Sequence, residues 1–124
     1  MLNIKTRSTN FDMTPAIEDY VSKKVSSLGK FLDVQKENIL CEVELGKTTN
    51  HHKSGDIFRA EVNIVGPQNT QFYAVAEESD LYAAIDVVRD QIEREIVTKK
   101  EKRETLFRRG ASRFKALAKR LYQK

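Results

Sequence analysis

FRAEVNIVGPQNTQFYAVAEE, residues 58–78, predicts two strands joined by a tight turn. Its first seven positions alternate apolar and polar side chains, which is the period-two pattern of a strand with one buried face. Gly66-Pro67-Gln68-Asn69 supplies the turn, because proline presets φ while glycine and asparagine tolerate unusual backbone angles. The strand that starts at Phe72 has apolar residues on both sides, so the sequence leaves its inward face open. The stretch therefore predicts an antiparallel hairpin.

Two more strands are predicted before this hairpin. Alternating side chains place them at about residues 2–7 and 39–45. Cys41 falls among the inward positions of the second one, which favours a small core side chain over a nucleophile. GKTTNHHKSG, residues 46–55, is predicted to be a polar loop.

The first helix is predicted over about residues 14–29. Thr14 is expected to be its N-cap and Pro15 its first helical residue, since proline lacks the N–H that this position leaves unpaired. Apolar residues recur at helical spacing from Ile17 to Leu28. Gly29 is expected to end the helix, because glycine is the usual residue just past a helix C-terminus.

The second helix is predicted to begin after Ser79 or Asp80, either of which can serve as its N-cap. Helix-forming residues continue to about Glu104. Its apolar stripe is Leu81, Ala84, Ile85, Val88, Ile92 and Ile96.

This element order predicts an α+β fold, a βαβββα two-layer sandwich. Strand, helix and strand in succession indicate a right-handed parallel crossover, and the next two strands add an antiparallel meander. One apolar face per strand and one stripe per helix favour a four-stranded mixed sheet with both helices on one face. We expect this domain to span residues 1–105, followed by a basic amphipathic C-terminal extension at 106–124.

Composition excludes several protein classes. The chain has 124 residues, of which 40% are hydrophobic and 32% charged, as in a highly charged globular domain. It contains no apolar run of transmembrane length and no secretory signal pattern at its start. A single cysteine cannot form an internal disulfide, so we expect a reducing, cytoplasmic location.

The net charge of +4 hides a strong asymmetry. Residues 1–98 carry 11 Lys and Arg against 16 Asp and Glu, a net of −5, whereas residues 99–124 carry 11 against two, a net of +9. Such a split predicts an anionic partner for the basic end, either nucleic acid or a membrane surface.

The last residues predict a one-sided helix after a break at Gly110. Three interpretations compete: the helix packs on its own domain, it lies on a membrane, or it is at most partly helical in solution and folds against an anionic partner. The third is favoured, and the short apolar stripe without tryptophan argues against the membrane. That stripe is Phe114, Leu117, Ala118, Leu121 and Tyr122.

No catalytic or metal-binding arrangement is predicted. His51 and His52 are adjacent in the polar loop, and adjacent loop residues seldom point at one metal ion, so we interpret them as solvated. Asp86, Asp90 and Glu93 share one helical face, but basic residues interleave with them, which is typical of a solvated face. The sequence therefore predicts neither an enzyme nor a cofactor.

Three separated segments resemble the ribosome hibernation-promoting factor family, which includes the ribosome-associated inhibitor called protein Y. They are TPAIEDYVSKKVSSLGKFL, FRAEVNIVGP and ESDLYAAIDVVRDQIEREI, and the likeness covers about residues 2–103. The most specific motif is the run from Asp80 to Asp86, and the second is Thr14 to Ile17.

The resemblance implies a cytoplasmic stress-response protein that regulates translation by ribosome binding. Its partners would be the small (30S) subunit and 16S rRNA, in the channel where mRNA and the A- and P-site tRNAs lie. We further expect a monomer off the ribosome, no membrane partner, and possible ribosomal-protein contacts of the tail. Carried over by position, the implicated rRNA-binding cations are Lys23, Lys24, Lys30, Arg89, Arg94, Lys99, Lys100 and Lys102. Arg103, Arg108 and Arg109 extend the same basic run and join this prediction.

Two departures from the family pattern stand out. Gln91 occupies a position where relatives usually carry lysine. About 20 residues follow the core, too few for the C-terminal domain with which long members pair two ribosomes. Whether the chain promotes or prevents ribosome dimers stays open. An alternative function is a generic structured-RNA-binding module acting off the ribosome.

Overall fold

A four-stranded sheet packs against two helices in the computed structural model, which describes residues 2–32, 38–49 and 55–122. The strands are β1 (Leu2–Thr9), β2 (Ile39–Thr49), β3 (Asp56–Val65) and β4 (Gln71–Glu78). The helices are α1 (Pro15–Ser26), a short 3₁₀ helix (Ser27–Phe31) that continues it, and α2 (Leu81–Tyr122).

The sheet has the order β1-β2-β3-β4. β1 pairs parallel with β2, with Leu2 opposite Ile39, and the other two pairings are antiparallel. A parallel pair needs a long connection, which α1 provides. The predicted βαβββα order and mixed sheet are confirmed.

One apolar core lies between the sheet and the helices. Inward residues of the strands share it with residues of α1, the 3₁₀ helix and α2, so both helices cover the same sheet face. Ile85 and Ile92 of α2 are almost fully buried there, with exposed fractions of 2% and 0%. Cys41 is buried in β2 as predicted, and desolvation raises the pKa of its thiol to about 12.

The register of β4 determines its inward face. Phe72 lies opposite Ile64 and Ala76 opposite Ala60, and all four side chains are buried. Tyr73 on the other face is 46% exposed. Pairing with β3 therefore settles the question that the apolar residues on both sides of β4 left open.

Both helix starts follow the capping rules. The Thr14 hydroxyl accepts a hydrogen bond from the Ile17 backbone N–H at 3.2 Å, and Pro15 is the first helical residue. At α2, a carboxylate oxygen of Asp80 accepts from the Ala83 N–H at 3.2 Å, which selects Asp80 over Ser79 as the cap.

The predicted helix ends at the two glycines are wrong. Gly29 lies inside the 3₁₀ helix, because the chain keeps turning to bury Leu28 and to pack Phe31 on the core. Gly110 does not break α2, which runs unbroken from Leu81 to Tyr122. One glycine costs an exposed helix only about 1 kcal/mol, which is not enough to end it.

The predicted polar loop is too long. β2 continues to Thr49 and pairs with the start of β3 at Asp56. Hydrogen bonds between paired strands join main-chain groups, so a stretch of polar residues can also extend the strand. Lys47 and Asp56 form an ion pair of 3.2 Å beside this pairing. His51 and His52, interpreted from sequence as solvated, lie outside the described residues.

A polar network joins α1 to α2 above the core. The Tyr20 hydroxyl donates to a carboxylate oxygen of Asp86 at 2.5 Å, and the Lys24 ammonium lies 3.2 Å from the same oxygen. The Tyr20 ring meets the Tyr82 ring edge-on, with centroids 4.8 Å apart. The hydrogen bond to Asp86 is the main cause that raises the pKa of Tyr20 to about 12. This network fixes how the two helices lie against each other.

Replacement of Ile92 by alanine is expected to lower the free energy of unfolding by about 2–5 kcal/mol, because it empties space in a close-packed core. Urea denaturation followed by circular dichroism measures this change. Arg94→Ala, two residues away on the exposed side of α2, is the control and should change stability by less than about 0.5 kcal/mol. Equal effects of the two changes would contradict the core assignment.

The Asp86→Asn variant is expected to move the pKa of Tyr20 back toward 10, because it replaces the carboxylate whose hydrogen bond and negative charge favour the protonated phenol. A folded pKa above the unfolded value means that this contribution to stability is complete below pH 10 and is lost as pH rises toward about 12. Tyrosine absorbance titration should show one late-titrating group in the parent protein. Asp90→Asn is the control and should leave that group unchanged; parent tyrosines that all titrate together would contradict the contact.

Candidate nucleic-acid interface

The predicted RNA-contacting cations all lie on the helical layer, and most of them on α2. Lys23 and Lys24 occupy the last turn of α1, and Lys30 lies in the 3₁₀ helix. The α2 set is Arg89, Arg94, Lys99, Lys100, Lys102, Arg103, Arg108 and Arg109. Their individual contacts with RNA stay a prediction.

Two of these cations, Arg89 and Lys24, are engaged in contacts between the helices. The Arg89 side chain is only 13% exposed and lies 3.2 Å from Asp90 and 3.1 Å from Glu93, while its Nε donates to the Ser27 hydroxyl at 3.0 Å. Lys24 is paired with Asp86. Arg89 therefore bridges the two helices, and a phosphate would have to compete with carboxylates for either side chain.

Beyond the sheet, α2 continues as a basic arm, which we define as residues 99–122. Every described side chain from Thr98 to Ala111 is exposed. At 1.5 Å per residue the arm extends roughly 36 Å. Two apolar side chains on it, Leu106 and Phe107, are 65% and 78% exposed, so this part of the arm does not pack on its own domain.

The opposite face of the sheet has a different charge character. Arg7 faces Glu42 at 3.7 Å, and the Arg59 guanidinium donates a hydrogen bond to the Glu61 carboxylate at 2.7 Å, which raises the pKa of the guanidinium. Arg7 and Arg59 on this face are thus matched by carboxylates. The strongly positive surface of the described chain is confined to the end of the helical layer and the arm.

A cleft of about 360 Å³ lies where the 3₁₀ helix, β2, β4 and α2 meet. We call it the basic cleft, because the described residues that line it include four cations and no carboxylate. Its lining is Lys30, Phe31, Leu32, Ile39, Thr70, Phe72, Ile96, Lys99, Lys100 and Arg103. Apolar side chains form its floor and cations form its rim.

Lys99 closes one side of the basic cleft. Its ammonium donates to the Gln71 carbonyl at 2.8 Å, pairs with Glu95 at 3.3 Å and lies 4.8 Å from the centroid of the Phe72 ring. Lys30 lies 5.2 Å from the Phe31 ring centroid in the same way. Such contacts of a cation over a ring are favourable and hold the lysines at the rim.

Sequence reasoning found the cations of the basic cleft but missed its aromatic floor. Phe31 follows Lys30 directly, which was the available signal. Phe72 comes from a strand much later in the chain, and only the fold brings it to Lys99. The sequence predicts that these cations form an exposed surface, whereas the structure places them at the rim of a concavity.

Within the ranges that the structure describes, no group of three or more His, Cys, Asp or Glu side chains could hold a metal ion. None of the described helices is long and apolar enough to cross a membrane.

Comparisons with known proteins agree with the fold and with the sequence motifs. A ribosome hibernation promoting factor of Klebsiella oxytoca is 33% identical over 94 residues, covering 75% of this chain and 87% of that protein. One of Azotobacter vinelandii is 28% identical over 102 residues, covering 82% and 85%. The crystal structure of the Thermus thermophilus Protein Y N-terminal domain superposes with a TM-score of 0.63 and 30% identity, covering 76% of this chain and 94% of that domain.

A sequence profile described as Sigma 54 modulation protein / S30EA ribosomal protein matches residues 4–104. This range contains most of β1, all of β2 to β4 and α1, and the sheet-bound part of α2. The resemblance seen in the sequence motifs is thereby confirmed. The chain belongs to the Sigma 54 modulation protein / S30EA ribosomal protein family, together with the ribosome hibernation promoting factors that it resembles.

Proposed function

We propose that this protein is a ribosome hibernation factor with no catalytic activity. It binds the small (30S) ribosomal subunit in the decoding channel, overlaps the positions of mRNA and the A- and P-site tRNAs, and blocks translation in the cytoplasm during slow growth or stress. Membership of the family and the names of its relatives support the ribosomal role.

The observation that carries the proposal is the confinement of unbalanced positive charge to one end of the molecule. From Lys99 to Arg109, six exposed Lys and Arg side chains stand against Glu101 and Glu104. On the open sheet face, in contrast, Arg7 and Arg59 pair with carboxylates. A molecule with this charge distribution attracts a polyanion to its basic end rather than to the open sheet face.

In this mechanism, the shape of the domain blocks the channel and its positive charge provides the affinity. The rigid two-layer body supplies the volume that excludes mRNA and tRNA, while cations of the helical layer and the arm neutralise 16S rRNA phosphates. Phosphate contacts orient a protein without reading sequence, which suits a channel whose walls are folded RNA. Arg108 and Arg109 on the arm extend this contact away from the sheet.

The alternative is a generic structured-RNA-binding module that acts off the ribosome. It shares the same basic surface, since phosphate contacts alone do not select an RNA. Co-sedimentation separates the two functions. Binding to 30S particles that initiator tRNA competes away supports hibernation, and equal binding to any RNA duplex supports the alternative.

The affinity for 30S subunits is expected to fall by roughly 10³-fold between 50 and 200 mM salt, if about six phosphates are neutralised. Reversing two charges of the arm, Lys100→Glu with Lys102→Glu, should weaken binding and flatten this salt dependence. Fluorescence anisotropy with labelled protein measures both.

The matched control for the charge reversal is Lys5→Glu with Arg7→Glu, which makes the same charge change on the open sheet face. It should leave most of the affinity in place. Equal losses in the two variants would show that net charge, rather than the helical surface, drives binding.

Removal of residues 106–124 is expected to weaken 30S binding by at least tenfold, while the melting temperature of the domain changes little. The physical reason is that the described side chains of this segment lie on the exposed arm and contribute nothing to the core. Sedimentation and a circular-dichroism melt test the two halves of this expectation. A large drop in melting temperature would instead show that the segment packs on its own domain.

A further inference from the structure

We propose that the basic cleft binds one unstacked nucleotide of single-stranded RNA. The base lies against the Phe31 ring, and the adjoining phosphates contact Lys30, Lys100 and Arg103. This inference rests on the proposed function and deepens it, because it assigns a base-binding site within a surface otherwise described by phosphate contacts.

The size of the cleft suits a single nucleotide. Its volume of about 360 Å³ falls at the lower end of the ~300–1,000 Å³ typical of small-ligand sites. Bases inside a duplex are stacked and paired, so only an unpaired one can be turned out into such a concavity.

The floor offers a ring for stacking. Phe31 is half-buried against the core, and its ring faces the cleft beside Lys30. Phe72 is 8% exposed and already lies under the Lys99 ammonium, so it supports the floor from below. A flat apolar wall next to cations is the combination that single-strand binders use to hold bases without selecting a sequence.

The charges at the rim suit the phosphates on either side of that base. Lys30, Lys100 and Arg103 are exposed and come from two different elements, the 3₁₀ helix and α2. They therefore flank the cleft rather than follow one edge. The Arg103 guanidinium can grip a phosphate with two parallel hydrogen bonds. Lys99, held by Gln71 and Glu95, serves as a wall.

The test measures binding of the full chain to fluorescein-labelled hexaribonucleotides by anisotropy at 50 mM salt. The probes are hexa-adenylate and an abasic hexamer with the same ribose-phosphate backbone and charge. We expect hexa-adenylate to bind about tenfold more tightly, because stacking adds to an otherwise equal electrostatic attraction. Equal affinities would mean that the surface binds phosphates only, and the inference would be overturned.

Two variants place the base within the molecule. Phe31→Leu keeps an apolar side chain but removes the ring, and it should erase most of the preference for hexa-adenylate. Phe107→Leu makes the same change on the exposed arm, where the ring is 78% exposed, and should preserve the preference. If Phe107→Leu erases the preference and Phe31→Leu does not, the base binds on the arm and the cleft is excluded.

Two controls accompany these variants. A circular-dichroism melt confirms that Phe31→Leu is folded. Lys100→Gln leaves the floor of the cleft intact and should weaken the binding of both hexamers alike.

Binding of 30S subunits by the unaltered chain separates the two proposals. If 30S binding is competed by initiator tRNA but the hexamers bind equally, the cleft inference fails and the proposed function stands. If the base preference is present and lost in Phe31→Leu, but 30S binding is absent, the cleft stands and the proposed function fails.

Discussion

The packing of the α2 stripe on one face of the sheet is the constraint on which the rest of the molecule depends. The stripe ends at Ile96, where the sheet ends, and α2 continues past it. Since most helical stability in proteins comes from tertiary packing of an apolar face, residues 81–96 hold α2 in place. The packing of residues 81–96 sets the direction of α2, and the arm continues from the domain in that direction.

The same packing places paired charges between the helices and unpaired cations farther along α2. The groove between the helices takes up acids and cations together, as Asp86 pairs Lys24 and Glu93 pairs Arg89. Farther along α2 the described lining of the basic cleft is cationic, and its floor is built from the edge of the core. Matched charges thus align the two helices with each other, and unmatched charges farther along α2 face outward.

Most of the fold could be predicted from the sequence, because its signals are local and repeated. Alternation gave the four strands, and Thr14 with Pro15 gave the start of α1. The helix ends predicted at Gly29 and Gly110 are wrong because one glycine destabilises a helix by only about 1 kcal/mol. Burial of Leu28 outweighs this cost at Gly29, and continuation of the long helix α2 outweighs it at Gly110. The basic cleft was not predictable, since four elements build it and no short spacing in the chain records that Phe31 and Phe72 line one concavity.

The arm carries a further consequence in its own sequence. Lys99 and Arg103, and again Arg109 and Arg113, stand four residues apart and repel each other along one side of the helix. Each such like-charge pair weakens an isolated helix by roughly 0.2–0.5 kcal/mol. A polyanion that neutralises these pairs removes the repulsion, so ligation and helical order reinforce each other by thermodynamic linkage. The arm would therefore be stiffest when it is bound to RNA, and salt that screens its own repulsion would at the same time weaken its attachment.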